Sequence, residues 1–270
     1  MEIINFFTDA SAWEKDELFF PLKRYFGPCS NNPFDGKGNS EIKRAFLEAI
    51  HADSFPIYEY SVIKNLERGL EKEAKRFTEV FSAMLPPDFK ILLFPMKDDW
   101  SYVIENLGGT WGVTFPKCVV LCAHPSTDLS RLLRTLHHET NHSIRLQFIE
   151  DDHNFLDRII LEGLAEVYVD EMFPHDSPSN FVTGVSTSEI ERWLHRFSEF
   201  WLAKDFKFED YKVFLYGSQE QKIPKWLGYA VGYFLVKLAR QNQFKTLPWN
   251  ELIKKSAISF IQSSSLSPSI

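Results

Sequence analysis

His138-Glu139-Thr140-Asn141-His142 lies inside the run Thr127 to Phe148, where apolar residues recur at the spacing of a helix. At ~100° per residue, Leu129, Leu133, Leu136, Thr140 and Ile144 make one stripe, and His138 and His142 fall on the opposite side. Residues four apart on a helix stand one turn above each other. Two imidazoles so placed can grip one zinc ion while the carboxylate between them reaches the water that the ion holds. The helix does not need these histidines for packing, because the stripe already supplies that face. Five residues of this form also arise by chance, so the motif needs a partner elsewhere in the chain.

A hydrolytic zinc site takes three protein ligands and keeps a fourth position open. The extension that would supply a third histidine nearby calls for Gly at 145 and His at 148, whereas this chain has Arg145 and Phe148. A carboxylate is the alternative donor. Downstream runs Ile160-Leu161-Glu162-Gly163-Leu164-Ala165-Glu166, in which Glu162 and Glu166 share a helix face opposite Ile160, Leu164 and Val167. Two such carboxylates can be plain surface charge. Gly163 and Ala165 argue otherwise, since a solvated face has no reason to give up side chains there, and small residues let another helix come close. On that reading Glu162 is the third ligand. Glu166, one turn on, accepts the remaining N–H of a ligand histidine and orients the ring.

The pattern resembles the gluzincins, the clan that includes thermolysin, in which H-E-x-x-H is followed by a glutamate ligand on the next helix and an acidic residue one turn later. Here Glu162 follows His142 by 20 positions, and Glu166 stands where the later acidic residue is expected. With His137 ahead of the motif and Gly228-Tyr229-Ala230-Val231-Gly232-Tyr233 behind it, the chain is more closely similar to the bacterial YjaZ-like family of predicted zinc-dependent proteases. The similarity runs from about Phe89 to Leu238. It implies a mainly helical, zincin-like α+β fold with a small mixed sheet ahead of the H-E-x-x-H helix. It also implies Zn²⁺ as cofactor and a peptide or protein as substrate.

In the chemistry so implied, Glu139 takes a proton from the metal-bound water and hands it to the leaving nitrogen. A donor to the developing oxyanion is needed as well, and Tyr229 and Tyr233 are the candidates, on a helix opening after Pro224. Gly228 and Gly232 on the same helix leave a second reading open, a glycine face for close packing with the tyrosines half-buried beside it. His137 reads as a packing or hydrogen-bonded residue. His124 could approach the cleft or simply end a strand, and Asn141 could bond across to the strands. His51, His153, His175 and His195 have no informative spacing. The strand around Gly112-Val113-Thr114 is the candidate cleft edge for an extended peptide. Two other functions stay open: zinc-dependent hydrolysis of a non-peptide amide or ester, and a noncatalytic zinc-binding regulator in which the ion braces two helices.

Working outward, a long amphipathic helix is expected from about Ile57 to Met84, with Ile63, Leu66, Leu70, Phe77, Val80 and Phe81 in register, stopped by Pro86-Pro87. Strands follow at Phe89–Phe94, Trp111–Phe115 and Lys117–Cys122. Helices are then expected at about Thr127–Phe148, Leu156–Met172, Thr187–Leu202, Phe208–Leu215, Lys225–Gln241 and Trp249–Gln262. A shorter helix is read over Ser40–Ile50, the first ~38 residues read as irregular, and the tail from Ser263 is Ser-rich. The organisation expected is an N-terminal arm and helical region over 1–88 and a catalytic region over 89–270, packed as one compact unit.

Among 270 residues, 44% are hydrophobic and 25 are Phe, enough apolar surface to require a folded core rather than a disordered chain. A net charge of −7, without a Lys/Arg block, disfavours nucleic acid as partner. No apolar run reaches the roughly 18 residues of a membrane span, and a cytoplasmic protein is the simplest expectation. Cys29, Cys118 and Cys122 are an odd number, and the latter two share a strand, so all read as core thiols.

Overall fold

The computed structural model describes residues 1–5, 59–81, 84–86, 88–96, 100–115, 117–124, 126–149, 154–203 and 208–263. The expected helix over Ser40–Ile50, the irregular segment beyond residue 5, Cys29, His51, His153 and the tail beyond residue 263 lie outside them. The chain divides into two compact units, Met1–Ser143 and Ile144–Ile270.

The first unit contains strands β1 (Glu2–Asn5), β2 (Lys90–Pro95), β3 (Thr110–Phe115) and β4 (Cys118–Ala123), with helices α1 (Tyr60–Phe81), α2 (Ser101–Leu107) and most of α3 (Leu129–Arg145). The strands form one sheet in the order β1-β2-β4-β3. β1 and β4 flank β2 in parallel, and β3 returns antiparallel on β4, with Val113 opposite Val120. β4 is buried along its whole length and β2 along all but its first residue, which explains why both are continuous apolar runs instead of alternating ones. Alternate residues go to opposite faces. Ile91, Leu93, Val119, Leu121 and Ala123 meet Ile63, Leu66, Leu70 and Ala74 of α1 and Leu132 and Leu136 of α3. Leu92, Phe94, Cys118, Val120 and Cys122 pack with Val103 of α2, Trp100 and Trp111. Cys118 and Cys122 are thus buried core thiols, as expected.

Two elements of this unit were not anticipated. β1 is four residues long, and it is a strand because it pairs with β2 far along the chain. α2 ends at Gly108, whose left-handed φ of 70° lets its N–H cap the Val103 carbonyl.

The second unit holds α4 (Phe155–Met172), α5 (Asn180–Thr183), α6 (Thr187–Phe197), α7 (Phe208–Tyr216), α8 (Leu227–Gln241), α9 (Trp249–Leu252) and α10 (Ala257–Ser263). α4 opens with a capping box, Asn154 accepting from the Asp157 N–H and Asp157 from the Asn154 N–H. It is buried from Phe155 to Ile160, Arg158 and Asp157 aside, and without a break from there to Val169, so it forms the centre of this unit. α8 crosses it at bare backbone. A Cβ on Gly163 would stand 2.2 Å from the Gly232 carbonyl, and one on Gly232 would stand 2.0 Å from the Ile159 oxygen. This is the close approach that the small residues beside Glu162 implied.

The single helix expected over Trp249–Gln262 is two. The wholly buried guanidinium of Arg145 donates from Nη1 to the carbonyls of Ile253 (2.7 Å) and Lys255 (2.6 Å). Those carbonyls would otherwise accept helical N–H groups, and charged donors compete well for them.

Candidate metal centre

α3 turns Leu132 and Leu136, with the half-buried Leu129 and Leu133, onto the sheet. That orientation leaves His138 and His142 together, one turn apart, with ring centroids 4.4 Å apart and the rings edge to face. His138, His142 and Glu162 each offer one ligand atom, and the three atoms lie within 4.8 Å of one another. Tetrahedral ligands at ~2.1 Å from zinc stand roughly 3.4 Å apart, a spacing that falls inside that bound. Two imidazoles and a carboxylate are also the donor chemistry zinc favours in hydrolytic sites. Among the described residues the group contains three donors, the number a hydrolytic zinc site takes from the protein.

His124 is not part of it. Its Nδ1 accepts the Ser126 N–H (3.2 Å) and pairs with the Ser126 hydroxyl (2.6 Å), closing a turn. His137 points elsewhere too: it is fully buried, its Nε2 bonds Glu73 of α1 at 3.0 Å, and the Phe77 ring lies against it. The hydrogen bond from His137 holds the Glu73 carboxyl below the ordinary carboxylate range, while burial pushes His137 itself below the usual imidazole value. Neutral imidazole therefore donates Nε2–H to an ionised carboxylate. His175 and His195 are exposed. Asn141 is buried, and no bond to the strands forms: neither of its amide atoms has a hydrogen-bond partner.

Glu139 is 9% exposed and lies against strand β3. The Thr114 hydroxyl stands 2.7 Å from Glu139 Oε2 and 2.6 Å from the Glu139 carbonyl oxygen. Gly112 sits directly under the side chain, where a Cβ would come within 2.5 Å of Glu139 Cγ.

Glu166 is buried one turn beyond Glu162 and accepts from the hydroxyl of Ser179, the residue that precedes α5 (2.6 Å). A further turn along stands Asp170, which accepts from the Tyr233 hydroxyl at 2.5 Å, with Lys237 Nζ donating to the same tyrosine oxygen. Tyr229 packs among Phe181, Trp226 and Tyr216, with centroids 5.4, 5.3 and 6.2 Å away. Ser179 and Asp170 were not singled out as site residues from the sequence, and Thr114 was read there only as part of the candidate cleft edge, not as a partner of Glu139. Asp170 alone had a visible signal, as the third acid of the i, i+4, i+8 series begun by Glu162 and Glu166.

Residues 70–262 match the model of the family described as "Predicted Zn-dependent protease (DUF2268)". The chain belongs to this family. The match runs from α1 to α10 and includes both histidines, Glu139 and Glu162. The chain is also similar to "Uncharacterized protein YjaZ" of Bacillus subtilis (strain 168), with 26% identity over 196 residues, 66% of this chain and 73% of that protein. No solved structure matches. Family membership and the His/His/Glu cluster together identify a zinc-binding catalytic site of the hydrolase and protease type, and hence a metal-dependent enzyme. No helix among the described residues is long and apolar enough to cross a membrane.

Proposed function

We propose that the chain is a zinc peptidase that cleaves peptide bonds of a peptide or protein, with His138, His142 and Glu162 holding the ion and Glu139 as general base. The observation that carries this is the three-donor cluster, two of whose members share a helix with a carboxylate that strand β3 holds by a hydrogen bond. Zinc, when bound, supplies a Lewis acid that polarises a carbonyl oxygen and makes water a better proton donor. Glu139 takes the proton from that water on Oε1, the oxygen opposite the one Thr114 holds, and returns it to the leaving nitrogen. Glu166 orients a ligand histidine from the turn beyond Glu162. Tyr229 donates to the oxyanion that develops on the carbonyl. Tyr233, one turn on along the same helix, is the second candidate for that donor, with its hydroxyl given to Asp170 in this structure. Among the described residues β3 pairs only with β4, so its outer edge offers backbone N–H and C=O groups to an extended peptide.

Zinc content by elemental analysis of gently purified protein, followed by turnover of a peptide library, tests the assignment. One zinc per chain and Glu139-dependent cleavage are expected. Stoichiometric zinc without cleavage of any peptide, but with hydrolysis of a simple ester or amide, would move the substrate class. A chain that takes up no zinc would end the proposal.

A further inference from the structure

The face that β3 turns toward α3 runs along the helix in step with it. Residues two apart on a strand are ~6.6–6.8 Å apart, and residues four apart on a helix rise ~6 Å, so alternate strand residues can meet successive helical turns. They do so here. The Thr110 hydroxyl bonds the Thr135 hydroxyl at 2.9 Å, Gly112 receives Glu139, the Thr114 hydroxyl bonds Glu139, and the Ser143 hydroxyl reaches the Phe115 carbonyl at 3.5 Å. Thr135, Glu139 and Ser143 are one helix row; Thr110, Gly112 and Thr114 are one strand face.

The middle rung differs from the others. Thr110–Thr135 and Phe115–Ser143 join neutral groups and hold the helix to the strand. At Gly112 and Thr114 the strand instead grips the one charged side chain of the row, from below and from the side. The Cα of Gly112 leaves room for Glu139 Cγ and, on its other side, for the Thr135 methyl, which an added Cβ would meet at 2.8 Å. The Thr114 hydroxyl carries one hydrogen and faces two acceptors on Glu139, the carbonyl oxygen and Oε2 of the side chain. A glutamate side chain has three rotatable bonds. Close packing at Cγ and a hydrogen bond at Oε2 restrict that rotation and leave Oε1 as the oxygen Thr114 does not hold.

We infer that Thr114 and Gly112 are positioning residues that fix the Glu139 carboxylate for proton transfer. The inference rests on the proposed role of Glu139 and adds the residues through which strand β3 controls it. Neither touches the substrate's reacting atoms or the ion.

The test uses the full chain loaded with zinc and acetohydroxamic acid as probe. Acetohydroxamic acid chelates zinc through two oxygens and shares its hydroxyl hydrogen with a carboxylate beside the ion, so its affinity reports where Glu139 stands without requiring the natural substrate. Zinc content and thermal unfolding are measured on the same samples, and Glu139→Gln marks the floor. Thr114→Val is expected to weaken the probe about tenfold or more, the usual weight of a hydrogen bond to a charged group, with one zinc per chain retained. Thr114→Ser, which restores the hydroxyl, is expected to recover affinity to within about twofold of the parent. Gly112→Ala should weaken the probe as well, because its methyl group displaces Glu139 Cγ. Unchanged affinity in Thr114→Val with zinc intact would overturn the inference. So would loss of zinc along with affinity, because Thr114 would then be supporting the ligand helix and not the carboxylate. A parent chain that binds no zinc defeats the reading of the site first and this inference with it.

Discussion

Replacing Gly163 with alanine adds one methyl group at the crossing of α4 and α8. The new carbon would lie 2.2 Å from both the carbon and the oxygen of the Gly232 carbonyl and 2.8 Å from the Tyr233 nitrogen. All three are backbone atoms, so no side chain can swing aside. Ordinary contact begins near 3.4 Å, and the two helices must separate by roughly an ångström along a crossing buried on all sides. Overpacking of this kind costs about 3 kcal/mol or somewhat more, while alanine's better helix propensity returns ~1 kcal/mol. A net loss of about 2 kcal/mol follows, equivalent to roughly 4–8 °C in Tm for a chain of this size. Urea and thermal unfolding of Gly163→Ala beside the parent measure it. Zinc affinity is expected to fall in the same variant, because Glu162 is the adjacent residue on the displaced helix. A variant as stable as the parent would show that the backbones are not in contact at this crossing.

Glu139→Gln should keep one zinc per chain and lose at least ~10²-fold in turnover, the usual weight of general-base catalysis; elemental analysis beside kinetics checks both halves. Arg145→Met should destabilise the chain by about 2–4 kcal/mol in urea, because it strands the Ile253 and Lys255 carbonyls, an effect tempered by removal of a buried charge whose desolvation already pulls its pKa down to about 10. Glu73→Gln tests acid stability. The folded-state pKa of Glu73 lies below its unfolded value, so its contribution is present above about pH 4.5 and is lost as pH falls through the folded pKa. The stability gap between parent and Glu73→Gln should therefore be wide at pH 6 and should close on acidification toward pH 3, as read by urea midpoints.

The three-donor cluster was legible because each part of its pattern is local. His138 and His142 are one turn apart on a helix whose apolar stripe points the other way, and Glu162 is marked by the glycine beside it. The buried strands β2 and β4 and the helices α1, α4 and α8 were legible for the same reason, since periodicity or a continuous apolar run lies within each segment. β1 was not, because Glu2–Asn5 is a strand only by pairing with β2. The break between α9 and α10 was hidden in the same way. Residues 249–262 have the pattern of one helix, and the cation that interrupts it comes from Arg145, more than a hundred residues earlier. The bonds from Thr114 to Glu139 and from Ser179 to Glu166 join segments with no shared period, so the residue types alone carried no sign of them.

Two carboxylates of the site owe their positions to missing side chains. Glu139 lies where it does because Gly112 presents only a Cα beneath it, and Glu162 stands on a helix whose neighbour can approach to backbone contact only because residues 163 and 232 are both glycine. Each arrangement replaces a flexible fit with a hard stop. A methyl group at any of these three glycines would have to be accommodated by moving the Glu139 side chain, the proposed base, or the helix that carries Glu162. Metal chemistry tolerates little of that motion, since the ligand set must close to ~2.1 Å on one ion while the base stays within hydrogen-bond reach of a water beside it. Alanine at 112 should therefore act on the proton-transfer geometry with zinc retained, whereas alanine at 163 should act on stability and zinc together. The two glycines thus separate the proposed function of Glu139 as base from the integrity of the His138, His142 and Glu162 cluster.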